Sequence, residues 1–181
     1  MTGRVIYVMG PSGAGKDTLL AFARTRLSNS RVAFAHRYIT RPADAGGENH
    51  IYLNHEEFSA RAESGFFALQ WESHGLRYGI GIEIEAWMAR GFSVVVNGSR
   101  EYLSRAAERY PTLKAVLIDA HTDVLAERLA ARGRETIEEV RARLARKVPL
   151  ALPARLAISE IDNSGALEHA GYALIDALKA T

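Results

Sequence analysis

The stretch "RVIYVMGPSGAGKDT", Arg4 to Thr18, decides how this chain is read. Arg4–Met9 is a largely apolar, β-branched run closed by glycine, the pattern of a short buried strand. Gly10, Pro11, Ser12, Gly13, Ala14, Gly15 and Lys16 then nearly spell a phosphate-binding loop, whose usual form is G-x-x-x-x-G-K-[ST]. Glycines at 10, 13 and 15 let the backbone turn tightly and bring amide N–H groups toward phosphate oxygens. A helix opening at Lys16 adds the positive end of its dipole, and the lysine reaches the β- and γ-phosphates. The departure lies at position 17. Where Ser or Thr would follow the lysine there is Asp17, and Thr18 comes one residue late. A carboxylate repels bare phosphates, but beside Mg2+ it is a hard oxygen ligand, direct or through water. Asp17 is therefore expected to do the metal work of a nucleotide site, with Thr18 on the α-phosphate side. The competing reading makes Asp17 a cap of the helix start.

Composition narrows the class. The 181 residues suit one compact α/β domain. At 48% apolar residues the chain can bury a sizeable core, which argues against a mostly disordered protein. No run of about 18 apolar residues is present, so no membrane span is expected. "VIYVM" is too short for the apolar region of a secretory signal. With no cysteine, disulfides and thiolate sites are excluded, and a cytoplasmic protein is expected. A net charge of +2, with no interleaving of aromatic and basic residues, gives no reason to expect nucleic acid as a partner. Nor is an obligate protein partner implied. The charge is nevertheless uneven: Arg128–Lys147 holds seven basic residues against three acidic ones. That segment reads either as a solvated helical face or as a phosphate clamp.

Periodicity predicts helices over Lys16–Leu27, residues 55–65, 82–91, Asp123–Ala131, Thr136–Lys147 and Ser164–Lys179. "RVAFA" (Arg31–Ala35), "SVVVNG", "KAVLID" and a weaker "RLAIS" read as strands of the buried parallel type. Gly65 and Gly91 stand where helices end, and Pro42–Asn49 is rich in turn residues. Strands alternating with helices predict a parallel sheet covered on both faces. Ala35–Gly81 and the basic helical pair interrupt that alternation as excursions.

In order along nearly the whole chain, "GPSGAGK", "ITRP" (Ile39–Pro42), "HGLRYG" (His74–Gly79), "VVVNG" (Val94–Gly98), "RLAARG" (Arg128–Gly133), "ARL" (Ala142–Leu144) and "DNSGALEHA" (Asp162–Ala170) resemble the guanylate-kinase-type P-loop kinases. The resemblance implies a three-layer P-loop NTPase fold of the α/β class. Its core would be residues 1–34, 82–127 and 148–181, with an acceptor-binding region at 35–81 and a helical lid at 128–147. The departures are informative. Where that family reads guanine with a glutamate stands Leu69. Ile80 replaces a threonine or serine, and Asn97 and Ser99 replace two aspartates. Guanine in such a pocket leaves N–H donors unpaired, about 1–3 kcal/mol for each, and specificity built on such contacts is large. A shifted alignment would let Gln70 or Glu72 do the reading instead.

"GKD" in the loop, "AHRYITR" (Ala35–Arg41), "GENH" (Gly47–His50), "YGIGIEI" (Tyr78–Ile84) and "VVNGSR" (Val95–Arg100) are similar to a narrower family, the ribose 1,5-bisphosphate phosphokinases. That family acts in bacterial phosphonate breakdown. It transfers the γ-phosphoryl of ATP to the 1-phosphate of a sugar bisphosphate and makes 5-phosphoribosyl 1-diphosphate. An acceptor with no base accounts for the missing base readers. Arg37, Arg41 and Arg100 are then candidates to hold its phosphates through forked hydrogen bonds. Thr40, Tyr78 and His50 would add polar contacts, and Glu48, Asn49, Asn97 and Ser99 would bond ribose hydroxyls. The phosphate oxygen is already anionic, so catalysis would rest on positioning and charge neutralisation. Lys16 and Mg2+ would bridge the β- and γ-phosphates of ATP, and Arg132, Arg134 and Arg143 would close from the lid. The resemblance also implies that Asn163 lies near the adenine. Two rival readings are a guanylate kinase with an unusual pocket and a non-catalytic interaction module; the latter has no use for Lys16 and the lid arginines.

Overall fold

The computed structural model describes residues 3–45, 47–131, 133, 136–145 and 156–180. The chain opens with β1 (Val5–Met9), which leads through the glycine-rich loop into α1 (Lys16–Arg26) and β2 (Val32–Phe34). Next come β3 (Arg37–Ile39), β4 (Ile51–Tyr52), α2 (His55–Glu63), β5 (Phe67–Ser73) and β6 (Leu76–Gly81). The core resumes with α3 (Glu83–Ala89), β7 (Ser93–Asn97), α4 (Leu103–Arg109), β8 (Lys114–Asp119) and α5 (Thr122–Ala130). It finishes with α6 (Ile137–Ala145), β9 (Ile158–Asp162) and α7 (Leu167–Lys179).

Five strands form a parallel sheet in the order β2-β7-β1-β8-β9. All of β1 is buried, and its residues alternate between two cores as strand geometry requires. Ile6 and Val8 face a layer that includes Leu19 and Leu20 of α1, Leu125 of α5 and Leu174 of α7. Val5, Tyr7 and Met9 face the other side, against Ile84 of α3, Leu103 of α4 and the second sheet. The α/β class and the parallel sheet expected from the sequence are what is found.

The segment expected as an excursion is itself a four-stranded sheet, in the order β4-β3-β6-β5. Its β3–β6 and β5–β6 pairs are antiparallel. Cross-strand partners share a face, and here Arg37, Ile80 and Leu69 are aligned, as are Ile39, Tyr78 and Trp71. Leu69, Trp71 and Ile80 enter the same core as Tyr7 and Met9. The second sheet is thus built onto the face of the parallel sheet, not hung from a linker. Behind it, α2 packs Phe58 against Phe67 with ring centroids 4.6 Å apart. A reciprocal cap starts α2: Asn54 accepts from the Glu57 N–H and Glu57 accepts from the Asn54 N–H.

These four strands and α4 are absent from the sequence reading, and the last strand lies at Ile158–Asp162, displaced from "RLAIS". Among the described residues no helix is long and apolar enough to cross a membrane.

Candidate active site

The loop after β1 turns through Gly13 (φ 86°) and Gly15 (φ 82°), left-handed conformations that favour glycine. Asn163, at the end of β9 and only 4% exposed, braces this turn. Its Nδ2 donates to the Ala14 carbonyl at 2.7 Å, and its own N–H donates to the Asp119 carbonyl at 2.8 Å. Arg128 of α5 completes the brace, with Nη2 donating to the Asn163 carbonyl at 2.8 Å and Nη1 to the Gly13 carbonyl at 3.4 Å. No individual role for Arg128 is legible in the sequence. Asn163, expected near an adenine, has its amide engaged on the loop backbone.

Lys16 Nζ donates to the Gly10 carbonyl at 3.1 Å, so the lysine folds back over the loop. Burial lowers its pKa below the usual lysine value. Asp17 opposes that shift, Arg37 adds to it, Glu48 opposes it and Arg100 adds to it. Charged groups from three chain segments therefore converge on one ammonium. Asp17 is exposed and does not cap α1: Gly15 is the N-cap and no side-chain cap bond is present. Its Oδ1 accepts from Asn97 Nδ2 at 3.0 Å. Asn97, expected on ribose, is thus turned to the loop carboxylate.

Two cavities of about 390 Å3 each flank this centre. One joins the loop residues Gly10, Pro11, Ser12 and Lys16 to Arg37, Tyr78, Ser99 and Arg100. Its aromatic wall is Tyr78 stacked on Trp71 (5.5 Å, 5°), with Trp71 also stacked on Tyr102 (5.4 Å). The Arg37 guanidinium lies 4.9 Å from the Tyr78 ring centre. Sequence reasoning missed Trp71 and Tyr102. The alternation of "FALQWES" is the legible signal, a half-buried strand with Leu69 and Trp71 on its inner face. Tyr7, fully buried, donates its hydroxyl to the Ser99 carbonyl at 2.8 Å, and burial raises its pKa. The turn carrying Ser99 and Arg100 is thereby tied to the core; Ser99 Oγ also accepts the Glu101 N–H at 3.2 Å. The second cavity takes in Asp17, Thr18, Arg24, Glu48, Asn49 and Asn97.

Several expected acceptor residues are already engaged with one another. Glu48 takes both forks of Arg37: Nε donates to Oε2 at 2.8 Å and Nη2 donates to Oε1. Arg41 Nη2 stands 4.0 Å from Glu48 Oε1 and 3.4 Å from His50 Nδ1. His50 Nε2 donates to the Arg41 carbonyl at 2.8 Å, and its Nδ1 lies between the Arg41 guanidinium and the Glu48 carbonyl, 3.1 Å from the latter. Arg41 Nε is buried without a partner among the described residues. Thr40 Oγ1 accepts the Arg77 N–H at 2.9 Å, a bond that locks β3 to β6. Asn49 is exposed and its Nδ2 donates to His36 Nε2 at 3.3 Å. Thr40, Arg41 and His50 line neither of the two cavities. Arg132 and Arg134 lie outside the described residues, as does the side chain of Arg143 in α6.

The chain is similar to two curated proteins named ribose 1,5-bisphosphate phosphokinase PhnN, from Burkholderia mallei and Burkholderia pseudomallei. Each is 60% identical over 176 residues, which cover 97% of this chain and 95% of the relative. A protein of the same name from Desulfomicrobium baculatum is 56% identical over 178 residues, covering 94% of this chain and 91% of its own. Among solved structures, a guanylate kinase from Anaplasma phagocytophilum superposes with a TM-score of 0.71 at 17% identity. The match covers 99% of this chain and 86% of that one, and it shows the shared fold alone. No family model matches the chain.

Proposed function

This chain belongs to the ribose 1,5-bisphosphate phosphokinase family, and on that premise we propose that it transfers the γ-phosphoryl group of ATP to the 1-phosphate of ribose 1,5-bisphosphate. The products are ADP and 5-phosphoribosyl 1-diphosphate, and the expected setting is phosphonate breakdown. One observation carries the reading. The cavity that contains Lys16 is lined by Arg37, Arg100, Tyr78 and Ser99, while Leu69 and Ile80 are sealed in the core beside it. It offers cations to phosphates and, at those two positions, nothing to the edge of a base.

The loop amides and Lys16 bind the nucleotide phosphates, whose negative charge favours the ammonium form of Lys16 and opposes the effect of its burial. Arg37 and Arg100 hold the acceptor so that an anionic phosphate oxygen faces the γ-phosphorus, and no general base is needed. Residues 35–81 carry the acceptor in this reading. The segment 128–147 closes over the site, with Arg132, Arg134 and Arg143 adding positive charge. Asp17 fits a hard cation: it is an exposed carboxylate with one oxygen held by an amide. Among the described residues no three acidic or histidine side chains converge to hold a metal, so phosphates and water would supply the other oxygens. A magnesium ion there would neutralise charge on the β- and γ-phosphates.

The test is incubation with ATP, Mg2+ and either ribose 1,5-bisphosphate or GMP, followed by phosphorus NMR. The expected result is the diphosphate signal of 5-phosphoribosyl 1-diphosphate, with GMP inert. Efficient GDP formation would overturn the proposal.

A further inference from the structure

Asn97 ends β7, and its register with Val8 sets it beside the point where β1 gives way to the phosphate loop. It is 5% exposed, at the end of a strand whose three valines are all buried. Its Nδ2 reaches across 80 residues of sequence to Asp17, while its own Oδ1 is buried without a hydrogen-bond partner among the described residues. A half-satisfied buried amide is unfavourable for the fold, and a leucine, branched alike but apolar, would carry no such burden. The group it serves contributes little to stability either. Asp17 is exposed and caps nothing, and the bond from Asn97 is the hydrogen bond it makes among the described residues. Two poor structural choices that meet at 3.0 Å point to a shared task.

General phosphate-loop chemistry suggests what that task is. Commonly a hydroxyl follows the lysine and an acid from another element completes the oxygen set around magnesium. Here the carboxylate is on the loop and its partner is neutral, so one negative charge is kept at a different place. Resting on the reading of Asp17 as the metal-facing residue, we propose that Asn97 is its positioning residue. The amide holds one carboxylate oxygen so that the other stays available to a hard cation. An exposed aspartate would otherwise sample several rotamers, and outer partners of this kind commonly set metal affinity.

The test measures binding of a non-hydrolysable ATP analogue with and without Mg2+ to the intact protein and to Asn97→Leu and Asp17→Asn, alongside melting temperatures. For Asn97→Leu, metal-free binding should be unchanged and the melting temperature equal or higher. The Mg2+ concentration at half-effect should rise roughly ten- to a hundredfold. Asp17→Asn should raise it at least as far, and the double variant no further. If Asp17→Asn shifts the metal response and Asn97→Leu does not, the positioning role is wrong while the metal reading stands. If neither shifts it, the metal reading falls and this proposal with it. If Asn97→Leu lowers melting temperature and metal-free binding together, Asn97 is merely structural. Asn97→Ser, too short to span to Asp17, repeats the measurement should leucine overfill the site.

Discussion

Gly15→Ala is the sharpest test of how the loop is held. A methyl group at Gly15 would stand 2.5 Å from Asn163 Nδ2, and the backbone there has φ 82°. Holding an alanine in the left-handed region costs about 1–2 kcal/mol. The amide cannot simply swing away, because it is buried and bonded to the Ala14 carbonyl. Displacing it leaves a buried polar group unpaired, at about 1–3 kcal/mol. A stiffer unfolded chain offsets about 0.5–1 kcal/mol of the total. The net loss is about 1–4.5 kcal/mol, which for a domain of this size lowers Tm by roughly 2–18 °C. Calorimetry should be run in two backgrounds, the native chain and Asn163→Ala. With the amide gone the collision is gone, and Gly15→Ala should then cost only the backbone strain. The cycle should return a coupling of about 1 kcal/mol or more. Equal Tm losses in both backgrounds would refute the brace between β9 and the loop.

Two further outcomes follow from the charges around the loop. The native Lys16 pKa lies below its unfolded value of 10.5, so between the two values the unfolded chain binds more protons and stability rises with pH. Lys16→Met should abolish that rise in pH-dependent denaturation and, by removing a buried ammonium, stabilise the fold while eliminating phosphoryl transfer. Arg37→Lys keeps the charge but loses the two-pronged bond to Glu48 and the stacking on Tyr78. The KM for the acceptor should rise roughly tenfold or more, with the KM for ATP unchanged; equal changes in both would mean that Arg37 serves the nucleotide.

What was legible in the sequence is what neighbours along the chain determine. Strand, glycines, lysine and helix follow one another between Arg4 and Arg26, so the loop could be read directly, and the valine run of β7 and the apolar run of β8 needed only their composition. The second sheet could not be read in this way. Its strands β3 and β4 are three and two residues long, and Arg37 finds its partner at Ile80. No local period announces such a pairing. The site shows the same division. Lys16 and Asp17 were placed by spacing alone. Asn97 was assigned to ribose because its contact lies 80 positions away. Arg37 was read as a free hook, whereas it already grips Glu48, an acid eleven residues on. Arg128 vanished into a basic run because nothing local distinguishes it from Arg141, which pairs with Asp123 at the surface.

Leu69 and Ile80 sit in the same core as Tyr7, Met9 and Trp71, and the Trp71 ring also lines the cavity of Lys16, so the cavity wall and the folding core share a side chain. An evolving lineage could not exchange a sugar acceptor for a base by altering these two positions alone. A glutamate at Leu69 would have to bury a carboxylate among aromatic and aliphatic groups, a cost that substitutions around it would have to offset. Selection for a stable core therefore also holds the aromatic wall of this cavity in place.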